Sequence, residues 1–442
     1  MLGVSCCLAA AAAAALGLAG AHGPADWPQM GRTASFASFK NSTGVPAPHK
    51  EWMFGPKGRF IASPAVFDGT VYVGSGDGHL YALDQRSGEL KWAFPQSCMP
   101  AHSAACGENG IRSSPAVDPA DGSIAFGSYD GHVYKVDRAG RLLWSFETGG
   151  PIYSPASIDA DGAVYVGTRH PDNCMYVLHG ATRTSAADQL KWKACGAPTG
   201  LDGFDMDSAA AVGEPDGPGQ DIVVMNNFDG AAKAFDRATG RALWVHNHSA
   251  HGGAAAAIAG GVVFAGSWDR HLYALELRTG RQIWAFDTGG EIESHPAYAA
   301  GAVFVSAEES FSLFALNAST AELLWTFNDT DGAEINGSPT VTRDRVYIGT
   351  NDGSLYALHR GTGAVAAKMA TGCGTEGHVF SSAAVADNGM VYFTCNSPGR
   401  RRRRLGPGGH FEPATATDPG LSDPPGLGMA YAVNPRKHGV FP

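Results

Sequence analysis

The amino-acid sequence predicts an all-β chain folded as an eight-bladed β-propeller, with four-stranded blades and a ring closed by pairing strands from its two ends. Three observations predict it. Tryptophans recur at about forty residues, as from Trp52 to Trp92, Trp244 to Trp284 and Trp284 to Trp325, a spacing that suits one four-stranded blade per repeat. Between them the same text returns, most plainly as SPAVFDGTVYVGSGDGHLYALDQRSGELKW from Ser63 to Trp92 and as SPTVTRDRVYIGTNDGSLYALHRGTG from Ser338 to Gly363. No 3.6-residue periodicity is visible in that text, so helical solenoids are set aside.

Each copy reads as four strands. A small-residue segment such as SPAV is the first, and TVYVGS, with its alternation of valine and tyrosine, is the second. Asp77-Gly78, Asp130-Gly131, Asp229-Gly230 and Asp352-Gly353 then supply the positive φ of a tight hairpin and lead into HLYAL-like third strands. A second turn, Ser87-Gly88, Thr239-Gly240 or Thr279-Gly280, leads to the tryptophan strand.

First strands begin near Ser63, Ser114, Ser154, Ser208, Ala254, Ser294, Ser338 and Ser381, which counts eight blades. The last blade lacks a tryptophan strand, whereas Lys50–Phe54 carries Trp52 ahead of any first strand. The two ends are therefore expected to complete one blade and hide two sheet edges. Two departures stand out: Ala367 occupies the tryptophan position of blade seven, and blade eight carries a Pro- and Gly-rich insertion. The expected organisation is a signal peptide over 1–21, a lead-in and closing strand over 22–57, and the propeller over 58–442 with a loop at 396–428. Arg400 to Arg404 fall in that loop and read as a solvated charge run.

The apolar, alanine-rich opening ends in Ala19-Gly20-Ala21, the small-x-small pattern of a secretory cleavage site, so secretion is expected. No later stretch is long and apolar enough to span a bilayer. Beyond the leader stand Cys98, Cys106, Cys174, Cys195, Cys373 and Cys395. Their even number suits an oxidising compartment, and sequence order pairs Cys98 with Cys106, Cys174 with Cys195, and Cys373 with Cys395. Asn-x-Ser/Thr sequons at Asn41, Asn247, Asn317, Asn328 and Asn336 fit the same route.

The net charge of −10 gives no electrostatic reason to bind nucleic acid. There is no Gly-x-Ser-x-Gly elbow, phosphate-cradling loop or His-Glu-x-x-His helix, which argues against conventional hydrolase or kinase chemistry. What remains is the propeller mouth, where residues just ahead of the first strands converge. Those positions hold Arg112, Tyr153, Asp205, Asp207, His251, Glu293, His295, Asn336, Glu376 and His378. Such a set could ligate calcium, hold an anionic cofactor, or shift its own pKa values for acid-base work. Wet channel rims also tolerate polar residues that do nothing.

The frames Ala82–Trp92, Ala234–Trp244, Ala274–Trp284 and Ala315–Trp325 resemble the Ala-x-Asp-x-x-Thr-Gly-x-x-x-Trp docking motif of the quinoprotein (PQQ-like) repeat family, over nearly the whole mature chain. The motif's logic is that a flat indole buries a large area between blades and an alanine or glycine on the neighbour leaves room for it. DWPQMGR, from Asp26, looks like the family's lead-in. The resemblance implies one of two functions. Some members are quinone-dependent alcohol dehydrogenases, including enzymes acting on polyvinyl alcohol, with calcium and PQQ on the axis. Others, such as the propeller lipoprotein of bacterial outer-membrane assembly, bind partner proteins. This chain has no adjacent cysteine pair in its mature part and no Cys-x-x-Cys-His. The expectation is therefore a secreted, monomeric binding scaffold for a protein, glycan or small ligand, with quinone-dependent dehydrogenation as the alternative.

Overall fold

The computed structural model describes Gln29, Phe39–Lys40 and residues 49–56, 58–95, 110–195, 206, 208–213, 219–252, 254–329, 331–371, 373, 381–386, 389–396 and 428–434. They form eight blades of four antiparallel strands each, and Phe39–Lys40 adds a fifth strand to the sheet of blade seven. Blades one to seven occupy 65–94, 116–147, 157–195, 211–247, 257–287, 297–328 and 340–370. Blade eight has strands Ala384–Val385, Val391–Asn396 and Gly428–Asn434, and its outermost strand is His49–Phe54 from the other end of the chain. First strands of adjacent blades touch, which places them innermost around the axis.

The local reasons are those of strand and turn chemistry. Second strands such as Thr70–Gly74 and Arg345–Gly349 are buried throughout, because each is covered on both faces by neighbouring blades. The Asp-Gly hairpins turn on glycines at positive φ, 89° at Gly78 and 85° at Gly131. Their aspartates secure the turn. Asp77 accepts the His79 N–H at 3.2 Å and the Tyr81 hydroxyl at 2.8 Å, and Asp130 does the same with His132 and Tyr134.

A belt of indoles joins blade to blade. Trp52, Trp92, Trp144, Trp192, Trp244, Trp284 and Trp325 each donate the indole N–H to a backbone carbonyl of the following blade, at 2.8–3.1 Å. In five of these contacts the ring lies on a turn glycine, and a Cβ there would fall 2.5–2.8 Å from it, at Gly88, Gly140, Gly240, Gly280 and Gly363. Ala367 now has a reason. The acceptor of each indole is the turn between the third and fourth strands of the next blade, and in blade eight those strands come from opposite ends of the chain. No such turn exists there for a tryptophan of blade seven to cover.

Closure pairs the expected strands, with Trp52 opposite Ala432, Met53 opposite Tyr431 and Phe54 opposite Ala430. The strands reach one residue into each end of the expected 396–428 insertion, because Asn396 pairs with Gly428. The seam is welded by side chains as well. The Asn396 amide accepts the Phe60 N–H at 2.7 Å and donates to the Phe60 carbonyl at 2.5 Å, fastening blade eight to blade one. Disulfides Cys174–Cys195 and Cys373–Cys395 are present as paired in the sequence. Cys98, Cys106 and Arg400 to Arg404 lie outside the described residues. Among the described residues no helix is long and apolar enough to cross a membrane.

The lead-in adds something the sequence did not indicate. Gln29 is buried, its side chain accepting the Ile158 N–H at 2.9 Å on the innermost strand of blade three. Phe39–Lys40 runs parallel to Thr340–Thr342, the innermost strand of blade seven. Blades three and seven are opposite in a ring of eight, and both contacts use the later residues of the innermost strands, away from the mouth. Gln29 and Phe39–Lys40 thus meet the innermost strands of two opposite blades at their ends away from the mouth.

Candidate functional site

Antiparallel order brings two backbone segments of every blade to one face: the connection entering the first strand and the hairpin between the second and third. A backbone hydrogen bond links them in six blades. Gly76 donates to Arg59, Tyr129 to Gly110, Arg169 to Pro151, Trp268 to His251, Glu308 to Glu291 and Asn351 to Glu334, at 2.7–3.1 Å. The donor is always the residue that follows the small or polar end of the second strand. The same position holds Phe228 in blade four and Asn396 in blade eight. Blades two to seven therefore set six different side chains at equivalent places around one mouth, while blade one holds Gly76 there.

These side chains fall into three sectors. Blades one to three carry arginines. The Arg169 guanidinium lies 4.2 Å from the centre of the Tyr153 ring, and Arg112 stands 5.5 Å from Tyr153 and 5.6 Å from Tyr129, within cation–π range. Arg59 is exposed on the blade-one connection. Blades four and five carry aromatics. Trp268 meets Phe228 edge-on at 5.5 Å and His251 at 5.3 Å, with the His251 ring bound to the Phe228 carbonyl. Blades six and seven carry acids. Glu291, Glu293, Glu308 and Glu334 interact electrostatically, and Asn351 donates to the Glu334 carboxylate at 2.9 Å.

The acidic sector binds a proton. Burial, then the charge of and hydrogen bond with Glu293, then Glu334 and Glu291, push the Glu308 carboxyl up to about 9. Glu293 is also raised, first by burial, but its hydrogen bond with Glu308 lowers it while the same bond raises Glu308, so Glu308 is the member that holds the shared proton at neutral pH. A neutral carboxyl there donates a hydrogen bond that a carboxylate cannot.

Of the residues expected at the mouth, Arg112, Tyr153, His251, Glu293, His295 and Asn336 are described, while Asp205, Asp207, Glu376 and His378 lie outside the described residues. Arg112, Tyr153, His251 and Glu293 belong to the sectors above. His295 has a different setting. Its Nδ1 accepts the Ala255 N–H at 2.7 Å, and its backbone N–H donates to the Ser338 hydroxyl at 2.9 Å, so it links blade six to its neighbours on both sides. Burial pulls its pKa down to about 4, and the ring stays neutral. Sequence reading passed over Arg169, Phe228, Trp268, Glu308 and Asn351. Their signal was a variable residue inside a constant frame: the second strand ends GSG, GSY, GTR, NNF, GSW, SAE and GTN in blades one to seven. Among the described residues no group of three His, Cys, Asp or Glu side chains is arranged to hold a metal ion.

Residues 48–191 and 229–400 match the family described as outer membrane protein assembly factor BamB. The assembly factor of that name from Shewanella oneidensis is 23% identical over 309 residues, covering 70% of this chain and 76% of that protein. A polyvinylalcohol dehydrogenase from Sphingopyxis sp. is 35% identical over 100 residues, which are 19% of this chain and 15% of that protein. The quinohemoprotein alcohol dehydrogenase of Comamonas testosteroni superposes with a TM-score of 0.65 at 15% identity, over 92% of this chain and 80% of that one, a likeness of fold.

Proposed function

We propose, from the premise that the chain belongs to the family of the outer membrane protein assembly factor BamB, that it is a binding scaffold of the secretory route whose mouth recognises a protein, glycan or small ligand. One observation carries the reading. The belt that builds the ring repeats almost unchanged, whereas the residue presented at the mouth differs from blade to blade, as Tyr129, Arg169, Phe228, Trp268, Glu308 and Asn351. Repetition serves the fold, and variation at equivalent, partly exposed positions serves recognition. The two disulfides suit an oxidising compartment and support placing the chain on the secretory route.

Quinone-dependent alcohol oxidation is the second reading, supported by the stretch shared with polyvinylalcohol dehydrogenase. PQQ carries three carboxylates and needs cationic contacts, with calcium, around its edge. The described residues supply arginines on one side only and set four glutamates opposite, so they do not by themselves fit that group.

The scaffold reading is tested with peptide and glycan arrays probed by the intact chain and by a variant carrying Arg169→Ala, Trp268→Ala and Glu308→Ala. A set of ligands held by the intact chain and released by the variant is expected. Equal binding by both would remove the mouth from the function. In parallel, PQQ and calcium are added and dye reduction by simple alcohols is followed; saturable binding with turnover would put the dehydrogenase reading first.

A further inference from the structure

The five Asn-x-Ser/Thr sequons have so far no role, and the strands sort them. Asn247 ends Ala242–Asn247, the outermost strand of blade four, and Asn328 ends Leu323–Asn328, the outermost strand of blade six. Side chains alternate between the two faces of a strand. In blade four Trp244 is buried and His246 half-buried on the packed face, so Val245 and Asn247 fall on the other face and are exposed. In blade six Phe327 is buried on the packed face, and Leu324, Thr326 and Asn328 are exposed on the other. The Asn328 Oδ1 accepts the Ser312 hydroxyl at 2.8 Å. A sugar attaches to Nδ2, so a glycan leaves that bond in place.

The other sequons are held differently. The Asn336 Oδ1 is buried, and Ser338, whose hydroxyl its sequon needs, is buried too and accepts the His295 backbone N–H at 2.9 Å. The Ser306 hydroxyl ties the same segment to blade six by donating to the Gly337 carbonyl at 2.8 Å. Asn317 is half-buried, and its Oδ1 accepts the Ser319 and Thr320 N–H groups at 2.9 and 3.2 Å. Its turn carries Ala318, whose carbonyl accepts the Trp284 indole N–H. A glycan is bulky and hydrated, so a chain carrying one at either place is kept from packing these segments. Asn41 lies outside the described residues.

We infer that Asn247 and Asn328 are N-glycosylation sites of the folded chain, and that Asn317 and Asn336 stay bare. The inference rests on the secretory route, where the donor is an oligosaccharide joined to a lipid pyrophosphate. The asparagine Nδ2 attacks the anomeric carbon of that donor. A C–N bond forms, the bond from that carbon to the pyrophosphate oxygen breaks, the lipid pyrophosphate leaves and one amide proton passes to solvent. Fourth strands lead into the connections that enter the first strands, so both glycans stand on the mouth side of the ring at its outer rim, on blades separated by blade five. Each covers the open edge of its sheet, and an edge covered in this way is closed to a partner's strand.

The full chain is expressed in a eukaryotic secretory cell behind its own leader and, in parallel, behind a leader known to direct secretion. Folded protein from the lumen and the medium is treated with an amidase that releases N-glycans and turns each modified asparagine into aspartate, and its peptides are read by mass spectrometry. Conversion at Asn247 and Asn328, and none at Asn317 and Asn336, is expected. Ser249→Ala and Thr330→Ala break one sequon each while sparing both asparagines, and each should cost the chain one glycan in electrophoretic mobility. Melting curves confirm that both variants fold. A bare Asn247 or Asn328, or a glycan at Asn317 or Asn336, would overturn the inference. Glycans that appear only behind the added leader would leave the sites standing and remove the secretory reading of the chain's own opening.

Discussion

The indole belt and the mouth are built from the same repeat but obey opposite rules. In the belt, seven tryptophans make one contact seven times, and a departure occurs where topology removes the partner, at Ala367. At the mouth the backbone contact is repeated but the side chain is not. Blade five presents Trp268 where blade six presents Glu308, on equivalent N–H to carbonyl bonds of 2.7 and 3.0 Å. The comparison teaches that this ring separates its tasks. Positions that hold neighbouring blades together are repeated, and the mouth positions, the seam residue Asn396 apart, are released from that duty.

The sharpest way to break the comparison is to remove the seam. Deleting residues 22–57 takes away the outer strand of blade eight and Trp52 together. It exposes two sheet edges and opens a ring whose stability depends on closure, so loss of the cooperative melt of the whole disc is expected in calorimetry. A truncated chain that melts like the intact one would show the blades to be independent.

Within the belt, Trp244→Ala empties the slot over Gly280 and leaves the Leu277 carbonyl unbonded. A loss of about 3–5 kcal/mol in denaturant unfolding is expected, whereas Trp268→Ala at the mouth should cost about 1 kcal/mol or less. Equal losses would erase the division of labour.

At the mouth, pH provides the probe. Glu308 holds a proton in the folded state up to about pH 9 but releases it near 4.5 when unfolded. A carboxyl raised in this way favours folding below pH 4.5, and that contribution is lost as pH rises toward 9. Glu308→Gln should therefore become more stable than the parent as pH increases from 5 to 9, by about 2 kcal/mol at the upper end once solvent screening is allowed for. His295 acts in the other direction. With its folded pKa near 4 and its unfolded value near 6.5, it makes stability rise between those limits in parent and variant alike. A stability gap that does not change with pH would place the proton elsewhere.

The smallest expected effect is at blade seven. Ala367→Trp should change stability by less than about 0.5 kcal/mol, because blade eight offers no turn for the indole to cover. A gain of about 1 kcal/mol in chemical denaturation would mean that some other surface takes that role.

Much of the architecture could be read before any coordinates, because it is encoded many times over. Trp52 ahead of the first blade and MAYAVNP at the other end announced the closure, and the local cysteine order announced Cys174–Cys195 and Cys373–Cys395. The mouth was legible only in part. Arg112, Tyr153 and Glu293 were found by their place ahead of the first strands, while Trp268 and Glu308 were hidden inside a hairpin that looked purely structural.

The sequence by itself determined the blade, the blade count and the seam, since periodic tryptophans, turn glycines and small first strands are local signals that repetition makes unambiguous. Only the tertiary structure decided which side chains meet. Glu293 and Glu308 are fifteen positions apart, yet the ladder joining the first two strands of blade six sets them together so that they share a proton. The arginine and glutamate sectors lie far apart along the chain and face each other only because the ring closes. Charge coupling depends on distance through space and on burial, and neither is defined until the blades have packed.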